Sequence, residues 1–578
     1  MELLLIDALG PFFRPEVLGP GRSNWSKVPF GKIPAGDGAS FARYFEGVAG
    51  DMARFLERAG AAGYNAASLD DLAHLVDHPF YEDEIRQEIC RYRAAYGALV
   101  GQITGRGMGC YVTSDILTVT PGLRRRLGVG RRAFGRSCEF LCEIVERFFR
   151  EFPDVGGIIF RLGEADGLDV EGEFRSELML RTPGMVNVLL KELLPIFARH
   201  GKRLILRTWT VGAYPVGDLI WHRETFRRAI EGIAGDSPLV LSMKYGESDF
   251  YRYQPLNKNF FRTELPKIVE LQSRREYEGA GEYPAYIGRS FASYAAQLRE
   301  AEGLLGISVW CQTGGWHPFR RRTYLDSDAV WNDINTDVCV RIFRDGEGEE
   351  RALAAVVSDG RLGAVSELMR LSEEVMELLL YVEEYAQQKL YFRRVRIPPL
   401  LNVFWDTIFI NPSVRRILRH YVSDPGAALL QGAEAMEKFV RMEELALQAG
   451  LPGEDIRFQR DSFEILQAAR LYFFGGPEGE EESHRRLEAL ADAYHLRYTG
   501  RRVPYVVKID FRPFRMRTRY LGWFIKLVFR RERRYRVIDR ILTLHLLGLG
   551  YWLLKRARPT WVPEFLRGKA MGIDVVFR

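Results

Sequence analysis

Residues 138–164 read CEFLCEIVERFFREFPDVGGIIFRLGE. The stretch opens as an amphipathic helical segment over 138–152, breaks at Pro153, and continues as a short apolar run over 156–160 that ends on Arg161 and Glu164. A helix followed by a short apolar strand is one unit of an α/β fold. The same alternation recurs on both sides of it, between residues 40 and 345. Strand-like runs stand at 64–68, 108–113, 156–160, 203–208, 239–244, 268–272, 285–288 and 306–311, with helical stretches such as 84–103, 185–200 and 290–304 between them. Eight such units over about 300 residues predict a (β/α)8 TIM barrel. An open doubly wound sheet would have fewer strands and a glycine-rich first turn, and the chain has neither GxGxxG nor a P-loop.

Working outward, the pattern changes beyond the barrel. Residues 351–500 carry long helical stretches without strands, for example 363–388 and 432–450, and predict a helical domain after a barrel of residues 1–350. Residues 501–578 alternate arginines with Phe, Trp, Tyr and Leu and form a basic, aromatic-rich extension. That extension holds 20 Lys and Arg against 5 Asp and Glu, a local +15, which leaves the first 500 residues at −9 within a whole chain of +6.

The composition is that of a folded chain: 578 residues, 47% hydrophobic and 27% charged, which excludes disorder and collagen-like fibres. The first residues, MELLLIDALGPFF, have no basic start, and Asp7 interrupts the apolar run at 3–6, so they do not read as a secretory signal and a cytoplasmic chain is expected. Six cysteines without a CxxC pair fit a reducing compartment and no zinc ribbon. His74 and His78 lie four apart without the glutamate of an HExxH motif, so neither a catalytic metal nor a cofactor is expected.

Polar residues gather where the predicted strands end: Asp70 and Asp71, Ser114 and Asp115, Arg161 and Glu164, Arg207 and Trp209, Lys244 and Asp249, then Glu276. In a TIM barrel that is the face on which active sites are built. Asp249 and Glu276 follow adjacent strands, and with Glu164 they supply the acid and the base that glycoside hydrolysis demands. Arg161, Arg207 and Lys244 beside these acids suggest an anionic substrate such as a uronic acid, held by charge-assisted hydrogen bonds. The alternative is that the three cations pair with the carboxylates as structural salt bridges.

Four of these stretches, in order, resemble motifs of the α-glucuronidases of glycoside hydrolase family 67: Asp154-Val-Gly-Gly-Ile-Ile-Phe-Arg161-Leu-Gly-Glu164, Leu204-Ile-Leu-Arg207-Thr-Trp209, Lys244-Tyr-Gly-x-x-Asp249-Phe250, and Glu270-Leu-Gln-x-x-x-Glu276-Tyr277-x-Gly279. Residues 306–316 and 332–345 look like the family's last barrel strand and closing helix. The resemblance implies an inverting, exo-acting hydrolase that removes α-linked glucuronic acid from the end of an acidic oligosaccharide. It implies Glu164 as the general acid and Asp249 with Glu276 as the pair that activates water. Arg207 and Lys244 match the residues that hold the uronate, Arg161 matches a family lysine, and Trp209 stands where a ring stacks on a sugar or packs inside the barrel. The chain also departs from the pattern. The first barrel strand is read near residue 64, with no counterpart of the family's preceding β-domain. The loop from Arg161 to Glu164 is one residue shorter and lacks a Gln-Pro-Gly stretch, which makes Asp166 a second candidate acid, and Glu247 stands where the family has proline. A glycosidase for another acidic sugar of a bacterial exopolysaccharide, or a barrel that only binds acidic glycans, fits the same residues.

The basic extension admits three readings: packing against the acidic body or in a homodimer interface, lying on an anionic membrane surface, or binding a polyanion. Segments 521–529 and 541–554 resemble interfacial helices more than a nucleic-acid module. The longest uncharged run, 541–554, has 14 residues and is too short to span a bilayer, which takes about 20.

Overall fold

A computed structural model describes residues 1–19, 23–34, 36–128, 131–162, 173–210, 216–317, 321–388, 391–392, 395–396, 401, 407–476, 478–498 and 505–511, with 549 and 553 besides. Eight parallel strands close into a barrel in chain order: β1 (Leu3–Asp7), β2 (Ala66–Asp70), β3 (Gly109–Asp115), β4 (Val155–Arg161), β5 (Arg203–Arg207), β6 (Leu239–Lys244), β7 (Lys267–Gln272) and β8 (Leu304–Trp310). The (β/α)8 reading therefore holds, with one correction to its strands. The run at 285–288 is no strand; Ala285 lies in a buried loop, and Gly288 opens a helix. The eighth strand is instead Leu3–Asp7, which pairs with β8 from Leu3↔Gly306 to Ile6↔Val309 and with β2 from Leu5↔Ala66 to Asp7↔Ser68. The barrel thus begins at residue 3 and not near 64. A short apolar run does not reveal by its pattern whether it will be a strand or a buried loop, because pairing settles the matter. Closure also depends on Gly306, where a Cβ would lie 1.7 Å from the Leu3 carbonyl oxygen.

Each strand alternates its side chains between two surroundings. Leu4, Ile6, Ala67, Leu69, Cys110, Val112, Ile158 and Phe160 face the surrounding helices as part of the main apolar core. Leu3, Leu5, Ala66, Tyr111, Ile159, Ile205, Val240 and Ile268 form a separate cluster, the apolar floor inside the barrel. Continuing in the same phase toward the C-terminal ends, the inward column reaches Asp7, Asp70, Asp115, Arg161, Arg207, Lys244, Gln272 and Trp310, all buried. One alternation thus supplies both the packed floor and a polar rim.

The outer layer holds α1 (Gly38–Ala62), α2 (Asp83–Thr104), α3 (Phe134–Glu151), α4 (Pro183–His200), α5 (Arg223–Ala229), α6 (Gly288–Gln297) and α7 (Val330–Asp345). Their starts follow capping chemistry: Asp37 accepts from the Ala39 and Ser40 N–H groups, and Thr182 accepts from Met185 just ahead of Pro183. Beyond the barrel lie α8 (Asp359–Val375), a π-helical turn Met376–Leu380, α9 (Pro425–Gln448), α10 (Gly453–Phe474) and α11 (Glu480–Arg497). The helix expected over 363–388 thus breaks after Val375. Two short parallel strands, Thr407–Ile410 and Val506–Ile509, pair with each other. Apart from 505–511, 549 and 553, the basic extension lies outside the described residues, as do both of its apolar segments as wholes. Among the described residues no helix is long and apolar enough to cross a membrane.

Candidate active site at the mouth of the barrel

The polar rim divides into three groups, each built around one cation. On the β2–β4 side, Arg161 at the end of β4 donates through Nη2 to Asp70 at 3.1 Å and through Nη1 to the Ser26 carbonyl at 2.9 Å, and its Nε lies 3.1 Å from Asp115. Lys27, brought in by the loop after β1, donates to Asp115 and to Ser176. The two aspartates respond in opposite ways. Burial pushes the Asp70 carboxyl up to about 6 against the pull of Arg161. Asp115 is equally buried, but Lys27, Arg161 and a hydrogen bond from Ser176 outweigh that and hold it down to about 2.

The second group lies inside the mouth. Arg207 grips Glu270 through two parallel bonds, Nε to Oε2 at 3.0 Å and Nη2 to Oε1 at 2.6 Å, and its guanidinium lies 4.7 Å from the centre of the Trp310 ring. Ser242 donates to the same carboxylate at 3.1 Å. Burial opposes ionisation of Glu270, yet Arg207 holds it below the usual carboxylate range. Such a bidentate pair fixes a planar guanidinium in one orientation.

The third group carries the two candidate carboxyls. Lys244, ending β6, bonds Asp249 and rests between two aromatic faces, with Nζ 3.8 Å from the Trp209 ring centre and 4.1 Å from that of Phe250. Asp249 also accepts from the Tyr277 hydroxyl at 2.7 Å and from the Phe250 N–H at 3.0 Å. Glu276 follows β7, its N–H donating to Gln272 Oε1 at 2.9 Å. Burial and then the charge of Asp249 push the Glu276 carboxyl up to about 8, although Lys244 pulls the other way. Gly314, at φ +146°, lies against this group, since a Cβ there would come within 2.1 Å of Glu276 Oε2.

The structure therefore brings Asp249, Glu276, Lys244 and Trp209 together, sets Arg207 within the same mouth, and places Arg161 on the β2–β4 side. Glu164 and its rival Asp166 lie in 163–172, outside the described residues. Each of the three cations holds a carboxylate of the protein itself. Trp209 is buried with Ile220 and Trp221, and Lys244 covers one of its faces. The sequence reading of the site did not include Lys27, Glu270, Tyr277, Trp310 and Arg274 among its working residues. Arg274 is buried, donates to the Gln312 carbonyl at 2.7 Å and stacks on Trp25, and burial lowers its guanidinium to about 10. The period-two inward column, which passes through Glu270 on β7 and ends on Trp310 at β8, is the signal that could have found two of these positions. Among the described residues no group of three or more His, Cys, Asp or Glu side chains is arranged to hold a metal ion.

The sequence matches no family model and no curated protein. Among solved structures, a GH138 enzyme targeting pectin rhamnogalacturonan II is similar at 12% identity and a TM-score of 0.49, over 86% of this chain and 62% of that one. A family 89 glycoside hydrolase from Clostridium perfringens aligns at 10% identity and a TM-score of 0.41, over 82% of this chain and 53% of that one. CpGH84B aligns at 10% identity and a TM-score of 0.38, over 85% and 73%. The chain spans about three fifths of the length of the first of these and about half of the second.

Proposed function

We propose that the protein is an inverting glycoside hydrolase that removes a terminal α-linked glucuronic acid from an acidic oligosaccharide. One observation carries this reading: the carboxyls of Asp249 and Glu276, on the loops after neighbouring strands, have unlike environments. Asp249 is bound by Lys244 and Tyr277, whereas Glu276 is buried beside it and keeps its proton to about pH 8. A buried carboxyl beside one that is held by a cation and a hydroxyl is the pattern by which acid and base roles are divided within one site.

In the proposed reaction Asp249 takes a proton from water while the water oxygen bonds to the anomeric carbon. The glycosidic C–O bond breaks on the opposite face, and Glu164 gives its proton to the departing oxygen. Glu276, protonated at neutral pH, donates a hydrogen bond to the water or to a sugar hydroxyl and leaves the pair with a single negative charge. This narrows the expectation that Asp249 and Glu276 share the base, since the carboxyl that holds a proton does not accept one. The uronate carboxylate is assigned to Lys244 and Arg207, with Arg161 on the β2–β4 side of the mouth; Asp249 takes one of the three donors of the Lys244 ammonium.

The test is hydrolysis of an aryl α-D-glucuronide and of aldouronic oligosaccharides, with the first-formed anomer read by proton NMR. Wild-type protein is expected to release β-glucuronic acid, and Asp249→Asn none. Initial release of the α anomer rejects inversion. No release from any α-glucuronide rejects this substrate and leaves another acidic sugar, or binding alone, to be sought with a wider panel.

A further inference from the structure

The helices beyond the barrel reach back into the two loops that carry Asp249 and Glu276. Pairing between β6 and β7 ends at Glu270↔Lys244, before either carboxyl is reached. Beyond that point Tyr277 bonds Asp249 inside the mouth, and a second tie lies beneath it. Arg252 stands three residues after Asp249, Glu278 two residues after Glu276, and both are fully buried. Arg252 donates to Glu278 through Nε at 3.1 Å and through Nη2 at 2.9 Å, which locks the loops together by a bidentate ion pair.

That tie is held from outside the barrel. Glu373 on α8 accepts from Arg252 Nη1 at 2.9 Å. Tyr381, just past the π-helical turn, donates its hydroxyl hydrogen to Glu278 at 2.7 Å and accepts from the Arg252 backbone N–H at 3.1 Å, so one hydroxyl touches both loops. Arg470 on α10, itself fully buried, donates to the carbonyls of Leu379, Tyr381 and Ala428 and so fixes the turn from which Tyr381 projects. The chain of contacts runs from α10 through Tyr381 to the loops of both candidate carboxyls without reaching solvent.

We propose that Tyr381 and Glu373 are positioning residues of the active site, holding Arg252 against Glu278 and thereby setting the spacing of Asp249 and Glu276. The proposal rests on the hydrolytic reading above. A group that only stabilised the fold would alter melting when removed and leave chemistry and proton affinity at the mouth unchanged. A positioning group alters both, because a displacement of about 1 Å at a reacting group costs about a hundredfold in rate.

The experiment compares wild type with Tyr381→Phe and Glu373→Gln, which keep the size of each side chain. Three quantities are read: the thermal midpoint, kcat and KM on an aryl α-D-glucuronide, and the titration of Glu276 in protein carrying 13C-labelled glutamate carboxyls, assigned with Glu276→Gln. Expected for Tyr381→Phe is a folded protein whose kcat falls about tenfold or more with KM little changed, and whose Glu276 titrates closer to an ordinary glutamate as Asp249 draws away. Glu373→Gln is expected to act in the same direction and serves alone if Tyr381→Phe does not fold. Wild-type kcat together with an unmoved Glu276 titration in a folded variant overturns the proposal. If wild type hydrolyses no uronoside, the hydrolytic reading falls, and the titration still decides whether Tyr381 and Glu373 set the spacing of the two carboxyls.

Discussion

Glu276 shows how burial turns one side chain into a pH-dependent load on the fold. In the unfolded chain its carboxyl loses a proton near 4.5, whereas in the folded protein it keeps the proton to about 8. Its contribution to stability is therefore complete below pH 4.5 and is lost as pH rises to about 8. Glu276→Gln removes that ionisation, so its thermal midpoint relative to wild type is expected to climb between pH 4.5 and about 8 and to level off above that. Midpoints that stay parallel across this range would place the raised proton affinity elsewhere; Asp70 and Asp333, pushed up to about 6 and about 7, tilt the wild-type curve in the same sense. Gly314 is the complementary case. At φ +146°, with Glu276 Oε2 2.1 Å and Gln272 Nε2 2.5 Å from where a Cβ would stand, it has room for no side chain. Gly314→Ala is expected to cost about 1–3 kcal/mol in urea unfolding and to reduce turnover by displacing Glu276. Wild-type values for both would mean that the loop shifts freely.

At the level of elements, β1 both closes the barrel and anchors the mouth. Asp7 at its end accepts from the N–H groups of Cys311, Gln312 and Thr313 and from the Thr313 hydroxyl at 2.6 Å, which fixes the loop leading to Gly314. Asp7→Asn keeps the shape but turns an NH2 group toward some of these donors. The expected loss is about 1–3 kcal/mol in urea unfolding, and an unchanged midpoint would show that Asp7 does not hold that loop. Seven of the eight strands are legible as local apolar runs, since each is buried on both faces and needs no partner to be recognised. The eighth shows as an apolar run at 3–6 but not as a strand, a state it takes through its pairing with Gly306 to Val309, some three hundred residues away.

For the whole molecule, the barrel and the helices behind it share one continuous apolar core running from Leu4 to Tyr505. Polar links cross the same boundary: Arg321 grips Asp455 at 2.7 and 2.9 Å, Trp331 donates to Asp455 at 2.8 Å, and Arg252 meets Glu373. A fragment ending at Gly346 would lose Asp455 from Arg321, Glu373 from Arg252 and the apolar cover that the helices give the barrel, and apolar surface left in water costs about 25 cal/mol per Å². Residues 1–511 are therefore expected to unfold in one calorimetric transition, and the 1–346 fragment to give no cooperative melt. Two separate transitions, or a stable fragment, would show that the barrel folds without the helices.

The sequence by itself determined the barrel and the chemical character of its mouth. Strand length, burial on both faces and the residue type at each strand end are properties of short stretches of chain. Only the tertiary structure decided which cation holds which carboxylate, because Arg207 and Glu270, or Arg161 and Asp70, meet across strands that lie tens of residues apart. It also decided that burial beside Asp249 pushes the Glu276 carboxyl upward, a matter of burial and distance that a list of acidic residues does not contain. The hold of Tyr381 on both loops is the most distant of these relations, and no local pattern records it, since a tyrosine after a helical turn has the same sequence signature wherever its hydroxyl ends.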